Sequence, residues 1–319
     1  MNYSLGIDIG GTNTNIGLTT EEGNVVAVET FKTKDFDKVE DYLDEITKRV
    51  VILCKKVEPK DTILGVGIGA PNGNYYNGTI EHAPNLQFNG IIELKKELEP
   101  RLKQEGFDLK VTVTNDANAA AMGEMIYGKA KFVKDFLMIT LGTGLGSGIV
   151  VGGKLVYGST GFAGEVGHTI VEPNGRQCNC GRNGCLERYC SATGIVITAK
   201  EKLEECAACS LLREYDENEL TSKAIYECAL KGDKIALECF DYTARILARG
   251  IANAAEVTSP RKVYLFGGLA NSGELLINPL RKYLEEELYT VYRNTIEIEQ
   301  SGLKEADAAI LGAAALTFE

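Results

Sequence analysis

The sequence predicts an α/β fold of two similar halves, and three observations carry that reading. Apolar strand patterns alternate with segments whose apolar residues recur every three or four positions. A buried strand running into a glycine-rich turn occurs near residues 5–13 and again near 137–146. The chain has 319 residues, enough for two domains of ordinary size.

Residues 3–9 (YSLGIDI) form the first expected strand, which ends in Gly10-Gly11-Thr12. IGLTT at 16–20 and VVAVETF at 25–31 complete a meander. Val39, Leu43, Ile46, Val50, Leu53 and Val57 mark one face of an amphipathic helix. ILGVGIGAP at 63–71 reads as a buried strand, Leu94, Leu98 and Leu102 as a helix face, and LKVTVTN at 109–115 as a strand. DANAAAMGEMIYG at 116–128 is an alanine-rich helix with Asp116 at its start, where an N-cap is favoured.

The second half opens similarly. FLMITLGTGLGSGIVVGG at 136–153 reads as two strands around a glycine loop, and KLVYG at 154–158 as another strand. A Cys/Gly-rich loop follows at 174–187. Helical patterns come next, including a long one from about Lys234 to Val257. KVYLFGG at 262–268 is a late strand, about 273–288 a helix, and EADAAILGAAALTF at 305–318 a small-residue helix that returns to the first domain. The expected domains are 1–118 with 305–319, and 119–304.

Hydrophobic residues at 44% and charged residues at 25% exclude disorder as the default. A net charge of -11 argues against a general nucleic-acid binder, which usually carries a basic patch. No basic segment followed by an apolar run precedes the first strand, and no stretch approaches the length of a membrane span. The expectation is a cytoplasmic protein whose nine cysteines stay mostly reduced.

Three glycine turns after three buried strands suit phosphate, because glycine lets backbone N–H groups come close to it. The first is Asp8-Ile9-Gly10-Gly11-Thr12, where Asp8 could hold Mg²⁺ directly or through water. The second is Leu141-Gly142-Thr143-Gly144-Leu145-Gly146, and the third Gly267-Gly268. Each alone would also serve as a plain hairpin. None is a Walker A loop or a dinucleotide fingerprint: the Gly-Lys-Ser/Thr ending is missing, and GIVV after the second loop reads as a strand.

Asn115-Asp116 lies between a strand and a helix, where strand carboxyl ends line ligand crevices in open α/β sheets. A carboxylate there can take a proton from an attacking hydroxyl, or it can simply cap its helix. In GHTIVEPNGRQCNCGRNGCLE (167–187), His168 with Cys178, Cys180 and Cys185 suits a closed tetrahedral Zn²⁺ site. Free thiols or a disulfide are the alternatives. Cys54, Cys190, Cys206, Cys209, Cys228 and Cys239 lie in apparent helices and read as core packing. His82, ahead of Pro84-Asn85-Leu86, reads as an ordinary loop histidine.

Together these residues resemble the ROK family (repressors, open reading frames and sugar kinases) over essentially the whole chain, and within it the bacterial glucokinases. The most specific stretch runs from Gly164-Glu165-Val166-Gly167-His168 through Cys178-Asn179-Cys180-Gly181 to Gly184-Cys185-Leu186-Glu187. The resemblance implies a two-domain actin-like ATPase (ribonuclease H-like) fold with a nucleotide and sugar cleft between the domains. It implies that Asp8, Gly10, Gly11 and Thr12 match the first phosphate loop, Thr143 and Gly144 the second, and Gly267 and Gly268 the adenosine-side turn. It makes Asp116 the catalytic base and Asn115 a sugar contact, joined by Glu165, His168 and Glu187, with Asn85 and Gly69 completing the pocket. His168, Cys178, Cys180 and Cys185 match the zinc ligands. The Ser191-Ala192-Thr193-Gly194 run also resembles the glucokinases, as an association without a mechanism.

The implied activity is transfer of the ATP γ-phosphate to the 6-hydroxyl of a hexose, glucose foremost, with ATP, Mg²⁺ and a structural Zn²⁺, in a homodimer. N-acetylmannosamine, N-acetylglucosamine or fructose would be substrates of close variants. A sugar-sensing transcriptional regulator and an actin-like structural or chaperone ATPase are the competing classes. The sequence departs from many relatives at Pro71-Asn72-Gly73, where they have Pro-Gly.

Overall fold

The computed structural model describes residues 1–216 and 218–318. In chain order its first elements are β1 (Asn2–Ile9), β2 (Asn13–Thr20), β3 (Val25–Lys32), α1 (Val39–Cys54), β4 (Thr62–Gly69), β5 (Gly73–Asn74), β6 (Thr79–Glu81) and β7 (Ile91–Ile92). Then come α2 (Leu94–Gln104), β8 (Val111–Thr114), α3 (Asp116–Ile126), β9 (Phe136–Leu141), β10 (Leu145–Val151) and β11 (Lys154–Leu155). The rest are α4 (Glu187–Cys190), α5 (Ala192–Glu205), α6 (Ser222–Leu230), α7 (Lys234–Thr258), β12 (Lys262–Phe266), α8 (Glu274–Glu287), β13 (Glu297–Gln300) and α9 (Glu305–Ala315).

The chain forms two compact units: residues 1–134, 154–163 and 302–319 make the first, and 135–153 and 164–301 the second. The sequence expectation divided the chain at 118. In the structure α3 and the residues after it, up to Lys134, group with the first unit, because α3 packs against α9.

In the first unit the main sheet has the order β3-β2-β1-β4-β8. β1 pairs antiparallel with β2 and parallel with β4, and β4 pairs parallel with β8. Leu5, Ile7, Ile9, Val66, Ile68, Val111 and Val113 fill its core, as near-continuous apolar runs should in parallel strands covered on both faces. α9 lies so close to this sheet that only glycine fits beneath it. A Cβ on Gly6 would stand 2.1 Å from the Ile310 carbonyl oxygen, and one on Gly67 1.8 Å from that of Ala313. This explains the small residues of the last helix.

In the second unit β10-β9-β12-β13 run side by side, with β9–β12 and β12–β13 parallel. α7 and α8 pack against each other, and the core takes in Leu137, Ile139, Leu247, Ile251, Val263 and Leu265. The expected strand at 154–158 shortens to Lys154–Leu155. Cys54, Cys190, Cys228 and Cys239 are buried as expected, whereas Cys206 and Cys209 are exposed in the stretch after α5. α5 ends at Glu205, so neither cysteine is carried on a helix face turned to the core. Among the described residues no helix is long and apolar enough to cross a membrane.

Candidate active site

In the first unit, the carboxyl ends of the parallel strands β1, β4 and β8 bring Asp8, Gly69 and Asn115-Asp116 to one edge, the place where open α/β sheets bind ligands. A Cβ on Gly69 would lie 3.8 Å from the Asp116 Cα. The turn after β1 is closed by the Gly10 N–H donating to the Asn13 carbonyl at 3.0 Å, and the Thr33 N–H donates to the Thr12 carbonyl at 3.0 Å. A buried hydroxyl cluster supports it from below: Thr14 Oγ1 lies 2.8 Å from both Thr33 Oγ1 and the Tyr42 hydroxyl. A Cβ on Gly11 would stand 2.3 Å from the Asn85 carbonyl oxygen, so exposed Asn85 lies against this turn.

Two carboxylates sense each other here. Desolvation raises the pKa of Asp8; the Asn15 amide, 3.4 Å from Asp8 Oδ2, opposes it, and the charge of Asp116 pushes it further up. The Asp116 side chain reaches solvent, yet enough protein surrounds it for desolvation to raise its pKa too, against the N–H groups of Ala117 and Asp116 itself. Like-charged carboxylates of this kind suit a divalent cation.

The structure corrects one local expectation. Asp116 is the first helical residue of α3, not its cap. The cap is Asn115, whose Oδ1 accepts the Asn118 N–H at 2.7 Å. The Asp116 carboxylate accepts its neighbour's N–H, from Ala117 at 2.8 Å.

In the second unit, the 142–146 loop joins β9 to β10. Its Gly144 faces Glu187: a Cβ there would stand 2.5 Å from Glu187 Oε2, and the Leu145 N–H donates to the same oxygen at 3.3 Å. The third glycine turn abuts this loop, because the Leu269 N–H donates to the Leu141 carbonyl at 3.2 Å. Gly267, at φ 101°, leaves no room for a side chain beside Leu141, whereas Gly268 faces open space. Glu165 is exposed and precedes a single helical turn, Val166–His168, in which the His168 N–H donates to the Glu165 carbonyl at 3.1 Å.

Ligand atoms of His168, Cys178, Cys180 and Cys185 all lie within 4.8 Å of one another. His168 Nδ1 is 3.7 Å from Cys178 Sγ, and Cys180 Sγ is 3.6 Å from Cys185 Sγ. The edges of a tetrahedron with ordinary Zn–S and Zn–N bonds are about 3.5–3.8 Å, so the donor set and its spacing fit Zn²⁺. With Nδ1 turned to the sulfurs, Nε2 is left on the other side of the ring.

Sequence reasoning overlooked the residue that fixes this loop. Arg176 donates to the Arg188 carbonyl at 2.8 Å and the Gly194 carbonyl at 3.3 Å, and to Thr198 Oγ1 at 2.9 Å. It pairs with Glu201 and stacks 4.5 Å over the Tyr189 ring. An arginine in a glycine-rich loop gives no periodic signal, so only the fold shows its partners.

A family model described as the ROK family matches residues 4–319. A glucokinase of Halalkalibacterium halodurans is 37% identical over 290 residues, covering 89% of this chain and 85% of the relative. A glucokinase of Thermotoga maritima is 33% identical, covering 99% of this chain and 97% of the relative. Among solved structures, a ROK family glucokinase from Streptomyces griseus in complex with glucose and AMPPNP superposes with a TM-score of 0.78. It is 34% identical, and the match covers 98% of each chain.

Proposed function

The chain belongs to the ROK family, and on that premise we propose that it is an ATP-dependent hexose kinase that phosphorylates glucose at the 6-hydroxyl. Its two α/β units are those of the actin-like ATPase fold. The observation that carries the reading is the placement of Asp116. Its carboxylate stands at the end of β8, beside Gly69, within electrostatic reach of Asp8, and relieved of capping duty by Asn115.

Glucose would be held by Asn115, Glu165, His168 and Glu187, with Asn85 and Gly69 beside them. Carboxylates and a ring nitrogen accept hydroxyl hydrogen bonds, and such a site rejects sugars that leave its polar groups unpaired. Asp116 accepts the proton of the 6-hydroxyl as that oxygen attacks the γ-phosphorus. The bond to the β,γ-bridging oxygen breaks, and ADP leaves with the electron pair. Asp8, Gly10, Gly11, Thr12, Thr143 and Gly144 would contact the phosphates, and Gly267 and Gly268 the adenosine. Mg²⁺, when bound beside Asp8, supplies charge neutralisation at the phosphates. Zn²⁺ on His168, Cys178, Cys180 and Cys185 would fix the loop that carries Glu165 and Glu187. We further infer a cytoplasmic homodimer, on the family's habit and the reduced thiols.

The test is ADP release from Mg-ATP across glucose, fructose, mannose, N-acetylglucosamine and N-acetylmannosamine. Sugar-dependent release with glucose foremost supports the assignment. A different leading sugar moves the substrate within the family. No sugar-dependent release from folded protein refutes the kinase reading and favours a sugar-sensing regulator.

A further inference from the structure

The Ser191-Ala192-Thr193-Gly194 run starts α5, and each of its residues has a definable task. Ser191 Oγ accepts the Gly194 N–H at 3.0 Å as the helix cap and donates to the Glu187 carbonyl at 2.7 Å. Gly194 lies where a Cβ would stand 2.7 Å from the Tyr189 carbonyl carbon, so α5 can start here only with glycine. The two residues between them reach the 142–146 loop. The Ala192 N–H donates to the Gly142 carbonyl at 2.9 Å, and Thr193 Oγ1 donates to the Thr143 carbonyl at 2.8 Å.

A trans peptide is planar, with its N–H directed opposite to the preceding C=O. Turning the Gly142 and Thr143 carbonyls towards α5 therefore turns the Thr143 and Gly144 N–H groups away from it. Neither N–H has a hydrogen-bond partner among the described residues. An outward pair of unpaired backbone N–H groups on a glycine loop is an anion-binding concavity. Without the two contacts from α5, each of these peptides could flip and present an oxygen to the phosphate instead.

We infer that Thr193, with the Ala192 N–H, is a positioning residue that holds the 142–146 loop with its N–H groups aimed at the nucleotide phosphates. The inference rests on the kinase reading for the identity of the anion, but on this unit's own hydrogen bonds for the device. It also gives the Ser-Ala-Thr-Gly run a physical role: cap, backbone donor, hydroxyl donor and close-packing point in four consecutive residues.

The test compares Thr193→Val, which keeps the shape and removes the hydroxyl, with Thr193→Ser, which restores it. Binding of a non-hydrolysable ATP analogue with Mg²⁺ and binding of glucose are measured separately by titration calorimetry, alongside steady-state kinetics. The expected result is a Kd for the nucleotide raised about three- to tenfold in Thr193→Val, the effect of losing one hydrogen bond. Thr193→Ser stays within about twofold of wild type, and the Kd for glucose is unchanged in both. KM for ATP rises with the nucleotide Kd while KM for glucose does not. Should Thr193→Val not fold, Thr193→Ala makes the same comparison with less crowding. Equal nucleotide affinity in wild type and the hydroxyl-free variant overturns the inference, as does an equal loss in Thr193→Ser. A wild type that binds nucleotide but releases no ADP with any sugar refutes the kinase reading while the binding comparison still decides this one. A wild type that binds sugar and no nucleotide overturns both.

Discussion

The side-chain oxygen of Asn115 accepts the backbone N–H of Asn118 at 2.7 Å, and this bond separates two duties that neighbouring residues could have shared. Asn115 caps α3, and Asp116 is left to present its carboxylate at the end of β8. Removing the Asp116 charge should therefore leave the helix start intact. In Asp116→Asn we expect a circular dichroism spectrum like that of wild type and a kcat lower by about two to four orders of magnitude, the usual contribution of a general base. Turnover near the wild-type value would rule out Asp116 as the base.

Asn115 itself offers a way to separate capping from sugar recognition. The oxygen already accepts the Asn118 N–H, so the Nδ2 donor is the contact to test for recognition. Asn115→Asp keeps an acceptor for the cap and loses the donor. Asn115→Ala loses both, at a cost of about 1 kcal/mol for the missing cap. We expect Asn115→Asp to melt near wild type but bind glucose more weakly, and Asn115→Ala to lose stability as well. Unchanged glucose affinity in Asn115→Asp would remove Asn115 from the sugar site.

Asp8 and Asp116 both hold their protons to higher pH in the folded chain than the ordinary value of 3.8, chiefly through desolvation. The folded state therefore binds more protons than the unfolded state in the window above 3.8, and their contribution to stability declines as pH rises through it. Asp116→Asn removes that liability. The variant should melt higher than wild type at neutral pH, and the difference should shrink as pH falls through the folded-state pKa. Melting curves from pH 4 to 8 check this, and a variant less stable than wild type at neutral pH contradicts it.

Much of this architecture was legible because its elements are long and periodic. β1, α1, α3 and α7 each carry enough apolar residues at one spacing to declare their type. The β5-β6-β7 sheet did not, because its strands are two or three residues long and show no alternation. β13 did not either: its Glu-Ile-Glu-Gln carries one buried residue and is a strand only because β12 pairs with it. At the candidate site, glycine turns and the Cys/His spacing were visible as local patterns. The capping role of Asn115, the grip of Arg176 and the hold of Thr193 on the Thr143 carbonyl were not, because each depends on which backbone groups the fold brings within reach.

The Cys/His cluster makes the last prediction. Cys178 and Cys185 are buried, Cys180 is exposed, and His168 lies between these extremes, with the donors gathered inside 4.8 Å by a segment whose regular structure is the single turn Val166–His168 and two isolated bridges. Val171 and Leu186 anchor this loop in the core and Arg176 ties it to α5, and a bound Zn²⁺ would add a further constraint. We expect purified protein to carry Zn²⁺, and Cys185→Ser to lose it. Loss of a structural metal should lower the melting temperature by roughly 5–15 °C, at about 2–4 °C per kcal/mol for a domain of this size. Because the same loop carries Glu165 and Glu187, chelation should raise KM for glucose before it affects nucleotide binding. Elemental analysis and melting curves of wild type and Cys185→Ser, with and without chelator, decide the matter. Metal-free wild type that melts as high as zinc-treated protein would mean that the cluster is held by its thiols and hydrogen bonds alone.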